Sequence, residues 1–89
     1  MGNLNLNHYQ MRLNMWDDIV IKVNSPAKAI LMDDENYIRY KKEQPFKYYG
    51  GSITDYTYRI QAPNTGSWHL IVEPESTIGF KHNIQIIRN

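Results

Sequence analysis

The chain has no cysteine. Disulfides, thiolate catalysis and cysteine metal sites are therefore excluded, and stability must come from packing. The absence fits a reducing compartment, so a cytoplasmic location is expected. There is also no excess of one charge. Ten Lys/Arg stand against nine Asp/Glu, for a formal net charge of +1. That gives no electrostatic case for nucleic acid as a partner. No apolar run is long enough to span a membrane. The opening Met-Gly-Asn-Leu-Asn-Leu-Asn-His lacks a basic region followed by an apolar one, so no signal peptide is expected. Met1-Gly2 would suit myristoylation, but Leu6 stands where Ser or Thr is wanted. Helical periodicity is missing too. Apolar residues do not recur at three-and-four spacing over the ten or more residues a helix needs. There is no internal repeat and no low-complexity tract.

What is present is strand pattern. The 89 residues suit one domain spanning 1–89. A domain of that size buries roughly 60% of the surface its unfolded chain exposes. With 42% hydrophobic and 12% aromatic residues, the chain can build one core and is too apolar for disorder. The clearest local signal runs over residues 56–74. Tyr56, Tyr58, Ile60 and Ala62 share one face and Thr57, Arg59 and Gln61 the other. Trp68, Leu70 and Val72 then alternate with His69, Ile71 and Glu73. Between the two arms, Pro63-Asn64-Thr65-Gly66 suits a tight turn, so the segment reads as a β-hairpin.

Other strands are expected over residues 4–13 (with a break near Gln10), 19–23, 27–32 and 78–87. In the last of these, Ile78, Phe80, His82, Ile84 and Ile86 share a face. Asn14-Met15-Trp16-Asp17-Asp18 is a turn, and Pro26 bars the 19–23 strand from continuing. Residues 33–36 are a polar break, 37–40 a short apolar resumption and 41–45 a solvated loop. A strand-like Phe46-Lys47-Tyr48-Tyr49 runs into Gly50-Gly51. The fold class is all-β: a compact antiparallel β-sandwich or small barrel-like domain of about seven or eight short strands.

Few groups carry chemistry. Asp33, Asp34, Glu35 and Asn36 place several oxygens together, as a calcium site would, but they lack the spacing and glycine of an EF-hand loop. The plainer reading is a solvated turn with Asx side chains on nearby backbone N–H groups. His69 is on the phase opposite Trp68 and Leu70, on an outer face or in a shallow groove. It could line a ligand site; the plainer reading pairs it with Arg59 or Gln61 across the hairpin. His8 and His82 are on apolar phases of the first and last strands and would meet if those strands were neighbours. A zinc site there would need further ligands.

Seven tyrosines and two tryptophans are many for this length. Of Tyr37, Tyr40, Tyr48, Tyr49, Tyr56, Tyr58 and Trp68, several must serve the core, and surplus aromatics at loop ends suit a binding face. Tyr48-Tyr49-Gly50-Gly51 is the most suggestive block, since glycines allow a sharp turn or a close approach to a ligand. A bulge or turn between strands is the structural alternative. Lys41 and Lys42 make a local basic patch with Arg39 and Lys47, diluted by Glu43; it reads as a solvated loop before it reads as a phosphate site.

Three of these blocks also carry a family resemblance. They are Leu31-Met32-Asp33-Asp34 followed by Asn36-Tyr37, then Tyr48-Tyr49-Gly50-Gly51, then Pro63-x-x-Gly66-x-Trp68-His69. With the closing Ile84-Gln85-Ile86-Ile87, the chain resembles DUF1883 over nearly its whole length. DUF1883 is a group of small bacterial proteins named as a domain of unknown function. The resemblance implies a compact, mainly β domain. Its association with Toll/interleukin-receptor-like (TIR) domains implies a recognition or regulatory role, by analogy alone. The chain departs from the family pattern at Pro74-Glu75-Ser76-Thr77, where a glycine-rich turn is usual. No catalytic residue carries over. A looser likeness, to accessory sandwich domains of secreted peptidases, concerns fold only.

No nucleophile–base pair, carboxylate pair, phosphate loop or metal-ligand set can be read from the spacing. The expectation is a non-enzymatic binding module with no cofactor, no metal and no catalytic residue. Its ligand would be a protein or a small polar molecule. The tentative site comprises Asp33, Asp34, Asn36, Tyr37, Tyr48, Tyr49, Gly50, Gly51 and His69. The alternative is a homo-oligomerisation domain. Less favoured is a hydrolase-like enzyme using His69 with an acidic partner.

Overall fold

The computed structural model describes residues 7–88. The elements follow in the order β1 (Asn7–Leu13), β2 (Asp18–Val23), β3 (Ala27–Asp33), α1 (Asp34–Lys41), β4 (Tyr49–Ile53), β5 (Thr57–Gln61), β6 (Gly66–Pro74) and β7 (His82–Ile87). One sheet has the order β1-β6-β3-β4 and the other β5-β2-β7, antiparallel throughout. This is an all-β sandwich with one short helix.

The period-two pattern fills the space between the sheets. Ile19, Ile21 and Val23 of β2 and Ile60 of β5 face Leu13, Ala29, Leu31, Trp68, Leu70 and Val72 of the larger sheet. Ile84 and Ile86 of β7 close that core from the side, with Phe80. Each fully buried aliphatic side chain contributes about 1.5–3 kcal/mol. The larger sheet is covered on its outer face as well. There Ile30, Met32 and Ile71 form a second apolar cluster, roofed by Tyr37 and Tyr40 of α1 and by Phe46. This explains the near-continuous apolar runs of β3 and β6, since strands buried on both faces lose their alternation.

Several expectations are corrected. Residues 56–74 are not a hairpin: β5 pairs with β2 and β6 with β1 and β3, so the two arms lie in opposite sheets. Pro63 has no N–H to continue a ladder. Ala62 is held instead by the β1–β2 turn, donating to Asp17 O and accepting from Trp16 N. The segment is an arch over the sandwich edge, closed by Trp68 Nε1 donating to Asn64 O. From Tyr58 onward the inward faces are as expected, because both arms turn the same side chains to one core: Ile60, Ala62, Trp68 and Leu70 are buried and Tyr58 packs against them, whereas Tyr56, with φ 66° ahead of β5, is exposed.

The apolar resumption at 37–40 is not a strand but the body of α1. The helix has eight residues and buries none fully, so apolar periodicity could not reveal it. Its signals are at its ends. Asp33 caps it, Asp34 and Glu35 occupy the first turn, and Arg39 and Lys41 the last, each charge opposing the nearby end of the helix dipole. At the C-terminus Glu43 N donates to Tyr40 O and Gln44 N to Arg39 O. That is the Schellman pattern, with Glu43 at φ 58° where glycine is usual. Helices this short are marginal alone, so α1 depends on the tyrosines packed over Ile30, Met32 and Ile71.

Smaller differences follow the same logic. The strand expected from Phe46 starts at Tyr49, which puts Gly50 and Gly51 inside β4. The last strand starts at His82, leaving Ile78 exposed ahead of it. β1 is unbroken at Gln10; Leu4 and Leu6, expected at its start, lie outside the described residues.

Candidate functional site

The outer face of the larger sheet carries a chain of polar rings. His69 of β6 pairs in register with Gln10 of β1, and His8 pairs with Ile71, so the two histidines are diagonal neighbours on that face. α1 lies over them and contributes Asp34 and Tyr37. His69 is only 5% exposed, which makes it expensive unless both ring nitrogens are satisfied. They are. Nε2 meets Asp34 Oδ1 at 2.7 Å, and Nδ1 meets His8 Nε2 at 2.9 Å. Ser67 Oγ donates to the same Asp34 oxygen at 3.0 Å. The bond from His69, then that from Ser67, holds the Asp34 carboxyl below its ordinary pKa. Burial, then the charges of His69 and Lys41, lowers the pKa of His8.

Tyr37 covers this pair. Its ring lies nearly parallel to both imidazoles, with centroids 4.1 Å from His69 and 4.4 Å from His8. Tyr37 Oη is 3.3 Å from His8 Nδ1. With the rings stacked, that contact comes from above the imidazole, whereas the Nδ1 lone pair lies in the ring plane. Tyr37 therefore contributes stacking more than a directed hydrogen bond. Lys41 Nζ lies 4.7 Å from the Tyr37 centroid. The aromatic row continues through Tyr40, Phe46 and Tyr48. Tyr40 Oη donates to Glu73 at 2.8 Å. Burial, and then that carboxylate, pushes its hydroxyl well above the ordinary tyrosine range.

The residues singled out from sequence divide into three groups. Asp34, Tyr37 and His69 come together as described. Asp33 and Asn36 are structural. Asp33 Oδ1 accepts from Asn36 N and Asn36 Nδ2, and Asn36 Oδ1 accepts from Lys47 N, which ties the segment after α1 to its first turn. The Asx-turn reading of this run was close; the turn is a helix cap. Asp33→Ala is expected to cost about 1 kcal/mol, measured by chemical denaturation, with helical signal lost first.

Tyr48, Tyr49, Gly50 and Gly51 form the third group: Tyr49, Gly50 and Gly51 lie on the edge strand β4 beyond β3, and Tyr48 directly precedes it. Tyr48 packs on Phe46 and lies under Lys28, while Tyr49 sets its ring edge-to-face with Trp68. Neither Tyr48 nor Tyr49 contacts His69. Gly50 is a backbone necessity, with φ 127° and no room for a Cβ against Ala29 O.

The remaining histidine expectations change. His69 does not pair with Arg59 or Gln61, which lie in the other sheet; Arg59 binds Asp18 instead. His8 does not meet His82. It lies on the outer face of β1, and His82 hydrogen-bonds Tyr9 across the sandwich edge. The contact between His8 and His69 was not foreseen, because the order of strands around β6 is not written locally. Among the described residues no three His, Cys, Asp or Glu side chains group as a metal site requires. None of their helices is long and apolar enough to cross a membrane.

Two open hollows flank α1. The larger, about 490 Å³, lies on its outer side between Arg39 and Phe46, where Glu35 is already engaged by Arg39 and Asn36 by Lys47. The other, about 330 Å³, lies between the start of α1 and the arch, bounded by residues 33–35 and 64–68. Its walls carry Asp33, Asp34 and Glu35 and, among the described residues, no Lys or Arg. Asp34 is thus at once the wall of a groove and the end of the imidazole chain.

A family model for DUF1883, a domain of unknown function, matches residues 4–89. No curated protein matches the chain, and no solved structure matches it.

Proposed function

The chain belongs to the DUF1883 family, whose description assigns no activity, and from the geometry we propose that it is a non-enzymatic binding module. Its seat is the groove between the start of α1 and residues 64–68. Its ligand carries a cationic hydrogen-bond donor, a primary amine or a guanidinium, presented by a partner protein or a small polar molecule. One observation carries this reading. Asp34 is 62% exposed at its side chain, yet Oδ1 is fixed by His69 and Ser67, which holds the carboxylate in place on the wall of the groove. A fixed carboxylate recognises a cation with less ordering cost than a free one. The helix N-terminus adds a partial positive charge of about half a unit, which the capping Asp33 answers, so Asp34 supplies the negative charge a cation meets.

The same bonds favour binding over hydrolysis. His69 has its acidic partner in Asp34, but its second nitrogen faces His8, and Ser67 donates to the carboxylate and not to an imidazole. Ser67 is therefore not placed for activation by His69. A bacterial, cytoplasmic setting and a role beside TIR-type signalling belong to this proposal. They are supported by the family resemblance and by the absence of cysteine.

The test is a backbone NMR titration near neutral pH with arginine amide and lysine amide, and with acetate and phosphate as anionic controls. The cations are expected to move the Asp34, Glu35 and Ser67 amides, and the anions are not. Asp34→Asn keeps an acceptor for His69 and removes the charge. It should weaken cation binding about fivefold, the effect of roughly 1 kcal/mol. Equal binding by Asp34→Asn, or response to anions alone, would sink the assignment.

A further inference from the structure

The two imidazoles lie edge to edge. Their planes differ by 11°, their centroids are 5.2 Å apart and their facing nitrogens 2.9 Å apart. This separation fits two rings in one plane with a shared hydrogen between them. It does not suit a shared metal ion, whose ligand lone pairs converge at an angle. Tyr37, stacked on both rings, holds them in that plane. The hydrogens can then be assigned. Asp34 is ionised, so His69 Nε2 carries the hydrogen that it donates to Oδ1, and the neutral ring leaves Nδ1 as acceptor. His8 Nε2 must donate to it, and His8 Nδ1 is the bare nitrogen, on the exposed strand β1.

We propose that His8 and His69 act as a single proton acceptor, loaded at His8 and discharged as positive charge beside Asp34. A proton bonds to His8 Nδ1. The hydrogen on His8 Nε2 then moves across the 2.9 Å contact to His69 Nδ1. His8 is neutral again in its other tautomer, and His69 is an imidazolium against the Asp34 carboxylate. No heavy atom need move. A second proton is excluded, because two N–H groups would then face each other across the same contact.

The groups around the pair set its balance. From α1, Asp34 favours the loaded state and Lys41 opposes it, with Tyr37 and Tyr40 neutral. Asp33 precedes them at the end of β3, Glu73 of β6 is engaged by Tyr40, and Arg12 shares the His8 face of β1. Loading turns the Asp34 wall of the groove from an anion into one half of an ion pair, so a cationic ligand is held less tightly as pH falls.

The inference rests on the recognition reading only for where the charge is felt. Its test uses the intact chain without ligand: ring-nitrogen NMR of the three histidines between about pH 4 and 8. At the upper end, His69 should show a bare Nδ1 and a protonated Nε2. On acidification His8 and His69 should change together, with one midpoint and one proton between them. His8→Phe keeps a ring beneath Tyr37 and removes the proton entry, so the His69 transition should move to a new midpoint. Two separate midpoints, with both rings doubly protonated in the folded chain, would overturn the proposal. So would a His69 transition that His8→Phe leaves in place. Silent cation probes would overturn only the groove assignment.

Discussion

Gly50→Ala should lower stability by about 2–6 kcal/mol, while Gly51→Ala on the next residue stays within about 1 kcal/mol of wild type. A Cβ at Gly50 would sit 2.2 Å from Ala29 O, well inside contact distance, and the obstacle is backbone. The position also has φ 127°, a region that side-chain-bearing residues rarely enter. Strain of that kind costs about 1–3 kcal/mol, and forcing an atom into packed space about as much again. A Cβ at Gly51 would meet only Tyr58 Oη, at 3.4 Å. Thermal unfolding separates the two, since about 1 kcal/mol moves the midpoint by roughly 4–8 °C in a domain of this size. If Gly50→Ala melts with wild type, β4 is free to move off β3, and the glycine would need another explanation.

The contrast shows how far a sequence can be read. Gly50-Gly51 was conspicuous, and its two explanations were close approach of a ligand and close approach of backbone. The sequence cannot choose between them, because the obstructing atom is the carbonyl of Ala29 on β3, with the whole of α1 between them in the chain. The alternation of Trp68, Leu70 and Val72 with His69 and Ile71 is a local property, and it gave the faces of β6 correctly. Which strand lies beside β6 is not local. The arms of the 56–74 segment fit a hairpin and an arch equally well, and the choice is made by Trp16 and Asp17 bonding Ala62 from far earlier in the chain.

The candidate site divides along the same line. His69 and Asp34 were both singled out, but as members of separate groups. Their meeting depends on α1, whose evidence was in its caps: Asp33, Asp34 and Glu35 at one end, Arg39 and Lys41 at the other. Reading those charges as helix termini, and not as a polar break, was the available signal. It would have brought Asp34 and Tyr37 onto a helix that needs a sheet face to lie on. His8 had no such signal. Its phase on β1 is set by Met11 and Leu13, and it meets His69 only because β1 pairs with β6.

Asp17→Ala is expected to cost about 3–5 kcal/mol, the largest effect of any polar substitution here. Its carboxylate has no exposure at all. Oδ2 accepts from Asn14 N at 2.8 Å and from Arg88 Nη1 at 2.7 Å. The backbone of the same residue holds the arch through Ala62 N. Removing the side chain takes the acceptor from Asn14 N and cuts the tie between the β1–β2 turn and the end of β7. Arg88 is 56% exposed and can return to water, so the loss lies mainly in the acceptor bonds. Asp17→Asn, which keeps the shape and one acceptor, should recover part of it. Denaturant unfolding of the two variants against wild type gives that ordering directly, and an Asp17→Ala loss below about 1 kcal/mol would mean that the pair is replaceable. Asp17 shows why a carboxylate in a polar turn reads as solvated. Asn14-Met15-Trp16-Asp17-Asp18 has every mark of an exposed loop, and the arginine that makes burial tolerable lies 71 residues further along the chain.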